Sequence, residues 1–194
     1  MNLIKNRFAK KSVKLLILLL LSMLIASASA AVYYSMLAQP SVTITNAAVM
    51  FVQGSDWPTG SLMGTNSTWV SLALKAYPNA TLTYDQPLNI SNTDSSQHNF
   101  RLRSVSITPA TGSASVGNFT SINFVVYNTT ALETAGTPTA TFSYNTTGNT
   151  WNTPPTTAYM QLPAGAQWII HVDTTAAAGA QAITANIVIS VDVQ

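Results

Sequence analysis

The stretch AITANIVISVDVQ, residues 182–194, places Ile183, Ile187, Ile189, Val191 and Val193 on one parity and Thr184, Asn186, Ser190 and Asp192 on the other. A period of two belongs to a strand with one buried face; a helix would scatter these side chains around its axis. The same alternation recurs at short intervals. Val70, Leu72, Leu74 and Ala76 share a face in 69–77, and shorter runs at 81–84, 119–127, 139–144, 158–162 and 167–173 read as strands. Val42-Thr43-Ile44-Thr45 leads into the apolar run Ala47–Val52, which GSDWPTG then breaks. Phe100 and Leu102 have one parity and Val105 and Ile107 the other, so a β-bulge is expected near Ser104. No convincing helical period follows residue 38; ALETAGT at 131–137 and Ala176-Ala177-Ala178 allow one helical turn each. Short strands separated by Gly, Pro and Asn predict an all-β chain, a single sandwich of jelly-roll or immunoglobulin-like type over residues 41–194.

The N-terminus has a different grammar. A basic part, MNLIKNRFAKKSVK, precedes the apolar LLILLLLSMLIA and the small-residue SASA, which is the order of a secretory signal over residues 1–30. Ala28-Ser29-Ala30 fits the A-x-A rule and sets the expected cut between Ala30 and Ala31. The competing reading keeps residues 15–38 as one uncharged membrane segment or anchor, since roughly 20 apolar residues span a bilayer. Ser22, Ser27 and Ser29 dilute its second half and favour cleavage.

Cleavage inverts the electrostatics. Lys5, Arg7, Lys10, Lys11 and Lys14 leave with the signal, and the body keeps Lys75, Arg101 and Arg103 against Asp56, Asp85, Asp94, Glu133, Asp173 and Asp192. The pI near 9.0 therefore belongs to the precursor, and no basic patch remains to hold nucleic acid. Charged residues are 7% of the chain, against about 25% in ordinary soluble domains, so Thr, Asn, Ser and Gln must supply the polar surface. Such a surface changes its charge little with pH, which suits a harsh exterior. Cysteine is absent, which removes disulfides as staples.

Six N-x-[ST] acceptors occur, at Asn66, Asn79, Asn89, Asn118, Asn128 and Asn145. Composition alone generates some of these in an Asn- and Thr-rich chain, but a signal peptide and their expected positions at strand ends favour glycosylation. Lys75 is the one lysine left after cleavage, and an isopeptide bond to an Asn or Asp, promoted by a buried acid such as Glu133, is a candidate lock. That chemistry needs a buried, neutral amine, and the bland alternative is a lysine at a strand edge.

Little in the chain points to catalysis. His171, in WIIHVD, has the parity opposite to Trp168, Ile170 and Val172 and reads as a solvent-facing or hydrogen-bonded structural histidine. His98 falls in the polar loop SNTDSSQHNF. No G-x-S-x-G, H-E-x-x-H, P-loop or EF-hand pattern is present, so the expectation is a non-enzyme without cofactor or metal. A hydrolase built from Asp173, His98 and a remote Ser has no supporting pattern, and Asn92, Asp94 and Asp85 make only a thin calcium ligand set. Trp57, Trp69, Trp151 and Trp168 allow a sugar-binding surface but read more simply as core or edge residues.

The residues after the signal are apolar where chain ends are usually polar. In AVYYSMLA, Val32, Tyr34, Met36 and Ala38 form one apolar face, and Pro40 ends the pattern. This reads as a strand over residues 31–40, either an ordinary edge of its own domain or a strand that fills an open edge on a neighbour. The whole plan, with its ASA-ended signal, leading strand, Cys-free β body and NST and NTT sequons, resembles the secreted subunits of archaeal thread filaments. It is similar also to archaeal bundling pilins and bacterial TasA-like matrix fibres. That resemblance implies an extracellular homopolymer serving adhesion, cell contact or biofilm, built head to tail by donor-strand complementation. Its partners would be neighbouring copies of itself, and then other cells or surfaces. The alternatives are a type IV-like pilin that retains its N-terminal helix, and a monomeric secreted adhesin or sugar-binding module. A type IV cut near Lys11-Ser12 would leave Lys14 at the start of the helix and no Glu near it.

Overall fold

A computed structural model of the chain describes residues 13–23, 47–112, 114–130, 136–145, 150–152, 155–181 and 183–194. The chain divides into two compact units, Met1–Thr45 and Asn46–Gln194. In the first, residues 13–23 are helical with exposed side chains. No helix among the described residues is long and apolar enough to cross a membrane.

The second unit is the expected β-sandwich. Its strands are β1 (Val49–Gln53), β2 (Leu62–Met63), β3 (Trp69–Ala76), β4 (Thr81–Asn92), β5 (His98–Pro109), β6 (Phe119–Tyr127), β7 (Ala140–Asn145), β8 (Thr150–Trp151), β9 (Met160–Leu162), β10 (Gln167–Ala176) and β11 (Ile183–Val193). They form two antiparallel sheets, A in the order β1-β4-β10-β6-β7-β8 and B in the order β2-β3-β11-β5-β9.

The most regular alternation in the sequence lies at the centre of sheet B. β11 runs between β3 and β5, with Ile183, Ala185, Ile187, Ile189 and Val191 turned into the core. β10 has the same role in sheet A, facing Trp168, Ile170 and Val172 inward between β4 and β6. Burial of each large aliphatic side chain contributes about 1.5 to 3 kcal/mol, which offsets the absence of disulfides. Trp168 meets Phe100 edge to face at 5.7 Å across the two sheets. Thr174 is fully buried, yet its hydroxyl donates to Lys75 O at 2.6 Å, so the polar group carries no unsatisfied burial cost.

Two strands are irregular, and one of them departs from the sequence reading. In β5 the bulge falls where expected: Ile189 pairs with Ser104 and Val188 with Ser106, leaving Val105 as the extra residue. Val105 is therefore exposed, while Ile107 faces the partly buried interior. β4 does not stop at Tyr84 but continues to Asn92. Pro87 reads as a strand breaker, and the chain absorbs it in a register shift: Ile170 pairs with Leu88 but Val172 with Tyr84. The irregular Asp85–Pro87 segment is held by Gln86 N, which donates to Asp56 Oδ1 at 2.8 Å. Gly54 approaches so closely that a Cβ there would lie 1.8 Å from Gln86 O, which excludes every side chain. ALETAGT lies almost wholly outside the described residues, and the Ala176–Ala178 segment ends a strand and enters a turn.

The sandwich has two ends. β1 starts and β11 finishes at the proximal end, where Val49 pairs with Asn92 and Val193 with Phe100. Asn92 closes that end, its Nδ2 donating to Ser96 O, Leu162 O and Pro163 O. At the distal end Ile183 pairs with Ala76, Thr175 with Thr81, and Ala176 with Phe119.

Candidate assembly edges and glycan sites

A sandwich has sheet edges with unpaired backbone groups, and each must be blocked, paired or left for a partner. The edge of β3 is sealed by hydroxyls. Ala73 N donates to Ser61 Oγ at 2.9 Å, Lys75 N to Tyr84 OH at 2.9 Å, and Lys75 O accepts from Thr174. Burial raises the Tyr84 phenol above its ordinary value of 10.0, against the lowering effect of its bond to Lys75, so the seal is protonated at neutral pH.

The edge of β5 is sealed by chain. Beyond the short β9, Leu102 N donates to Thr157 Oγ1 at 3.0 Å, Thr157 N to Leu102 O at 2.9 Å, and Ser104 N to Pro155 O at 2.8 Å. Past that point the Val105 bulge and Pro109 blunt the strand.

Among the described residues, the edges of sheet A carry fewer such bonds. On β1, Phe51 N donates to Ser67 O at 2.7 Å from the β2–β3 loop. On β7, β8 pairs only with Tyr144 and Asn145, and Asn152 N reaches Ser143 O. Among the described residues, nothing pairs with the outer edge of β7 from Ala140 to Phe142. That strand is secured instead by packing: Phe142 stacks on Phe124 at 4.8 Å, and Trp151 lies 5.6 Å from Phe142.

The leading-strand residues Val32, Tyr34, Met36 and Ala38 and the Ala30–Ala31 junction lie outside the described residues, as does Glu133.

The sequons fall into two classes. Asn66 and Asn128 are exposed at the proximal end, and Asn79 and Asn118 flank strands at the distal end, where Asn145 pairs with Ser121. Asn66 folds its own sequon into a turn, its Oδ1 accepting from Thr68 Oγ1 at 2.8 Å and Thr68 N at 3.3 Å. Those bonds engage the oxygen and not Nδ2, the atom a glycan occupies. Asn79 sits at φ +57°, a left-handed turn position that Asn tolerates. Asn145 donates its Nδ2 to Asn152 Oδ1.

Asn89 corrects the expectation of six usable sites. It lies inside β4, only 3% exposed, and its Oδ1 accepts from Gln86 Nε2 at 2.8 Å. A folded chain has no room for an oligosaccharide there. Its cross-strand partner, Ile169, lies on the same outward parity of β10 and is also fully buried.

Lys75 is likewise a correction to the premise of an isopeptide lock. It lies at an exposed position of β3, not at the buried site that such a lock requires. The remaining candidates are dispersed. His98 Nε2 meets Asp94 Oδ2 at 2.7 Å, and the bond to His98 holds the Asp94 carboxyl below its ordinary value. His171 stands on the other sheet, its Nε2 3.3 Å from Asp173 and its Nδ1 3.9 Å from Asp85. Asp173 is thus beside His171 and not His98, and Asp85 is apart from Asn92 and Asp94. Among the described residues no group of three or more His, Asp or Glu side chains could hold a metal ion. Trp168 is core and Trp57 and Trp151 are half-buried, whereas Trp69 is 42% exposed with its indole against Gly64.

The chain matches no protein-family model, and a search of curated proteins finds no match either. The functional reading therefore rests on the sandwich and its edges.

Proposed function

We propose that this protein is the structural subunit of an extracellular filament, assembled head to tail by pairing residues 31–38 of one copy along an open sheet edge of the next. The observation that carries the reading is the division of labour in the chain. The strand-patterned segment AVYYSMLA belongs by sequence to the Met1–Thr45 unit, and the Asn46–Gln194 unit is the sandwich. The sandwich has its own core, and among the described residues β1 and β7 in sheet A are less blocked than the edges of sheet B. A strand on a leader and an edge on a body are a heterologous pair, and repetition of that pair gives a fibre and not a closed ring. Adhesion, cell contact or biofilm formation is the role such a fibre would serve, and the sequons clustered at the sandwich ends suit a sugar-coated surface.

Electron microscopy of the secreted protein tests this reading. Wild type is expected to form long filaments, with Ala31 as the first residue by N-terminal sequencing. Tyr34→Asp with Met36→Asp would bury unpaired carboxylates in every joint at a cost of several kcal/mol each, leaving short or monomeric species. Normal filaments from this double variant would remove the leading strand as donor. A secreted chain still carrying LLILLLL would favour a retained helix instead. Intact mass provides a second check: Asn66→Gln removes one glycan from the wild-type mass, and Asn89→Gln removes none. Loss of a sugar from the Asn89 variant would show that the acceptor is modified before β4 folds.

A further inference from the structure

The few charges of the sandwich are segregated between its two outer faces. All three cations lie on the outward side of sheet B: Lys75 on β3, and Arg101 and Arg103 on β5. One acid accompanies them, Asp192 on β11, whose Oδ2 lies 3.2 Å from Arg101 Nε and 3.4 Å from Arg103 Nε. Two guanidinium groups share a single carboxylate, so positive charge is left over. Arg101 also lies 5.0 Å over the ring of Tyr159, which is 46% exposed.

The outward side of sheet A has the opposite sign. Asp173 on β10 and Asp85 at the β4 irregularity flank His171, and Asp56 braces the same irregularity from the β1–β2 loop. No lysine or arginine among the described residues faces them. Thr83 Oγ1 fixes Asp173 by a 2.7 Å bond, and the Asp85 side chain is 71% exposed. Asp94, the other acid among the described residues of the sandwich, is on the β4–β5 turn with His98 and belongs to neither face.

The sequons respect this partition. Asn66 and Asn128 lie at the proximal end, and Asn79, Asn118 and Asn145 at the distal end. Asn89, within β4, is buried, and Asn145 ends β7 at the distal rim of the outer side of sheet A. The accessible acceptors thus lie at the rims and not at the middle of either face. In a chain with 7% charged residues, this separation leaves a dipolar slab.

We propose that the outer face of sheet A on one copy docks against the outer face of sheet B on another, so that Asp85 and Asp173 meet Arg101 and Arg103. The occupant of each face is a second copy of this chain. Because the two patches differ, the contact is heterologous and propagates sideways without closing. Opposite charge on two broad surfaces steers encounter and fixes which face meets which, and it weakens with salt. The contact is independent of the donor-strand joint, which is made of backbone bonds and apolar burial and has little salt dependence.

Light scattering and electron microscopy of the full secreted protein at two salt concentrations test the proposal. Raising NaCl from about 0.01 M to about 0.15 M shortens the Debye length from roughly 30 Å to about 8 Å. Side-by-side association should fall about tenfold or more over that range, whether the starting species is a monomer or a fibre. Arg101→Gln with Arg103→Gln should abolish the salt-dependent part, and Arg101→Lys with Arg103→Lys should restore most of it. Asp85→Asn, on the other face and at an exposed position, should weaken association in the same direction without touching the arginines. Salt-independent lateral association of wild type, or unchanged association in both the Arg101→Gln/Arg103→Gln and Asp85→Asn variants, would overturn the proposal. Loss of filaments themselves in Tyr34→Asp/Met36→Asp would leave it intact, provided the released subunits still associate at low salt.

Discussion

The edges of β3 and β7 solve the same problem in opposite ways. β3 closes itself with side-chain hydroxyls, Ser61, Tyr84 and Thr174 taking its outward backbone groups one by one. β7 leaves Ala140–Phe142 without a backbone partner on its outer side among the described residues, and relies on Phe142 packed against Phe124 and Trp151. Natural sandwiches often guard an edge with lysine or an inward charge. A chain with 7% charged residues has few to place there, so it uses neutral donors and acceptors. The difference separates an edge closed by side-chain hydroxyls from an edge held by aromatic packing. It also predicts that the two edges respond differently to mutation.

The largest effect should come from the packed edge. Phe142 is buried and stacked on Phe124 with the rings 4° from parallel. Phe142→Ala removes that stack and leaves a cavity beside Trp151, which should cost about 3 to 5 kcal/mol by chemical denaturation. An effect below about 1 kcal/mol would mean that β7 is held by something other than its aromatic contacts. Next is the sealed edge. Thr174→Val keeps the shape of the side chain but leaves the part-buried Lys75 O without its 2.6 Å donor. The expected loss is about 1 to 3 kcal/mol, and under the proposed assembly filament formation should be unchanged, since the sealed β3 edge would not be the accepting one. Filament loss in this variant would invert the assignment of sealed and open edges.

The sandwich was readable because its driving force is local in sequence. Alternation in Trp168–Val172 and Ile183–Val193 marks the two central strands, and the parity switch between Leu102 and Ile107 marks the bulge at Val105. β4 is legible only as far as Tyr84, because the register shift that carries it past Pro87 to Asn92 belongs to its pairing with β10. The edge seals were not readable at all. Thr174 and Lys75 are 99 residues apart, and no local pattern says that a hydroxyl on β10 will reach a carbonyl on β3. Asn89 illustrates the limit of motif reading: Asn-Ile-Ser satisfies the acceptor pattern, but burial beside Ile169 depends on a pairing that the motif does not contain.

The smallest effect is a pH dependence written into the sealed edge. In the folded chain the Tyr84 phenol is shifted upward, chiefly by burial, and accepts the Lys75 N–H. In the unfolded chain it titrates near its ordinary value of about 10. Between those two values the unfolded state gives up its proton while the folded state keeps it, so unfolding becomes more favourable as pH rises. The stabilisation is complete below the unfolded value and is lost as pH climbs through the folded one. Tyr84→Phe removes both the bond and the titration. It should be less stable than wild type at pH 8 by about 0.5 to 1.5 kcal/mol, the net worth of one hydrogen bond. The gap should then shrink toward pH 11, since only wild type continues to lose stability through this group. Tyr144, also shifted upward by burial, is common to both proteins and cancels in the comparison. Parallel stability curves for the two proteins across pH 8 to 11 would show that Tyr84 does not titrate as part of the seal, and that the β3 edge is closed by Ser61 and Thr174 alone.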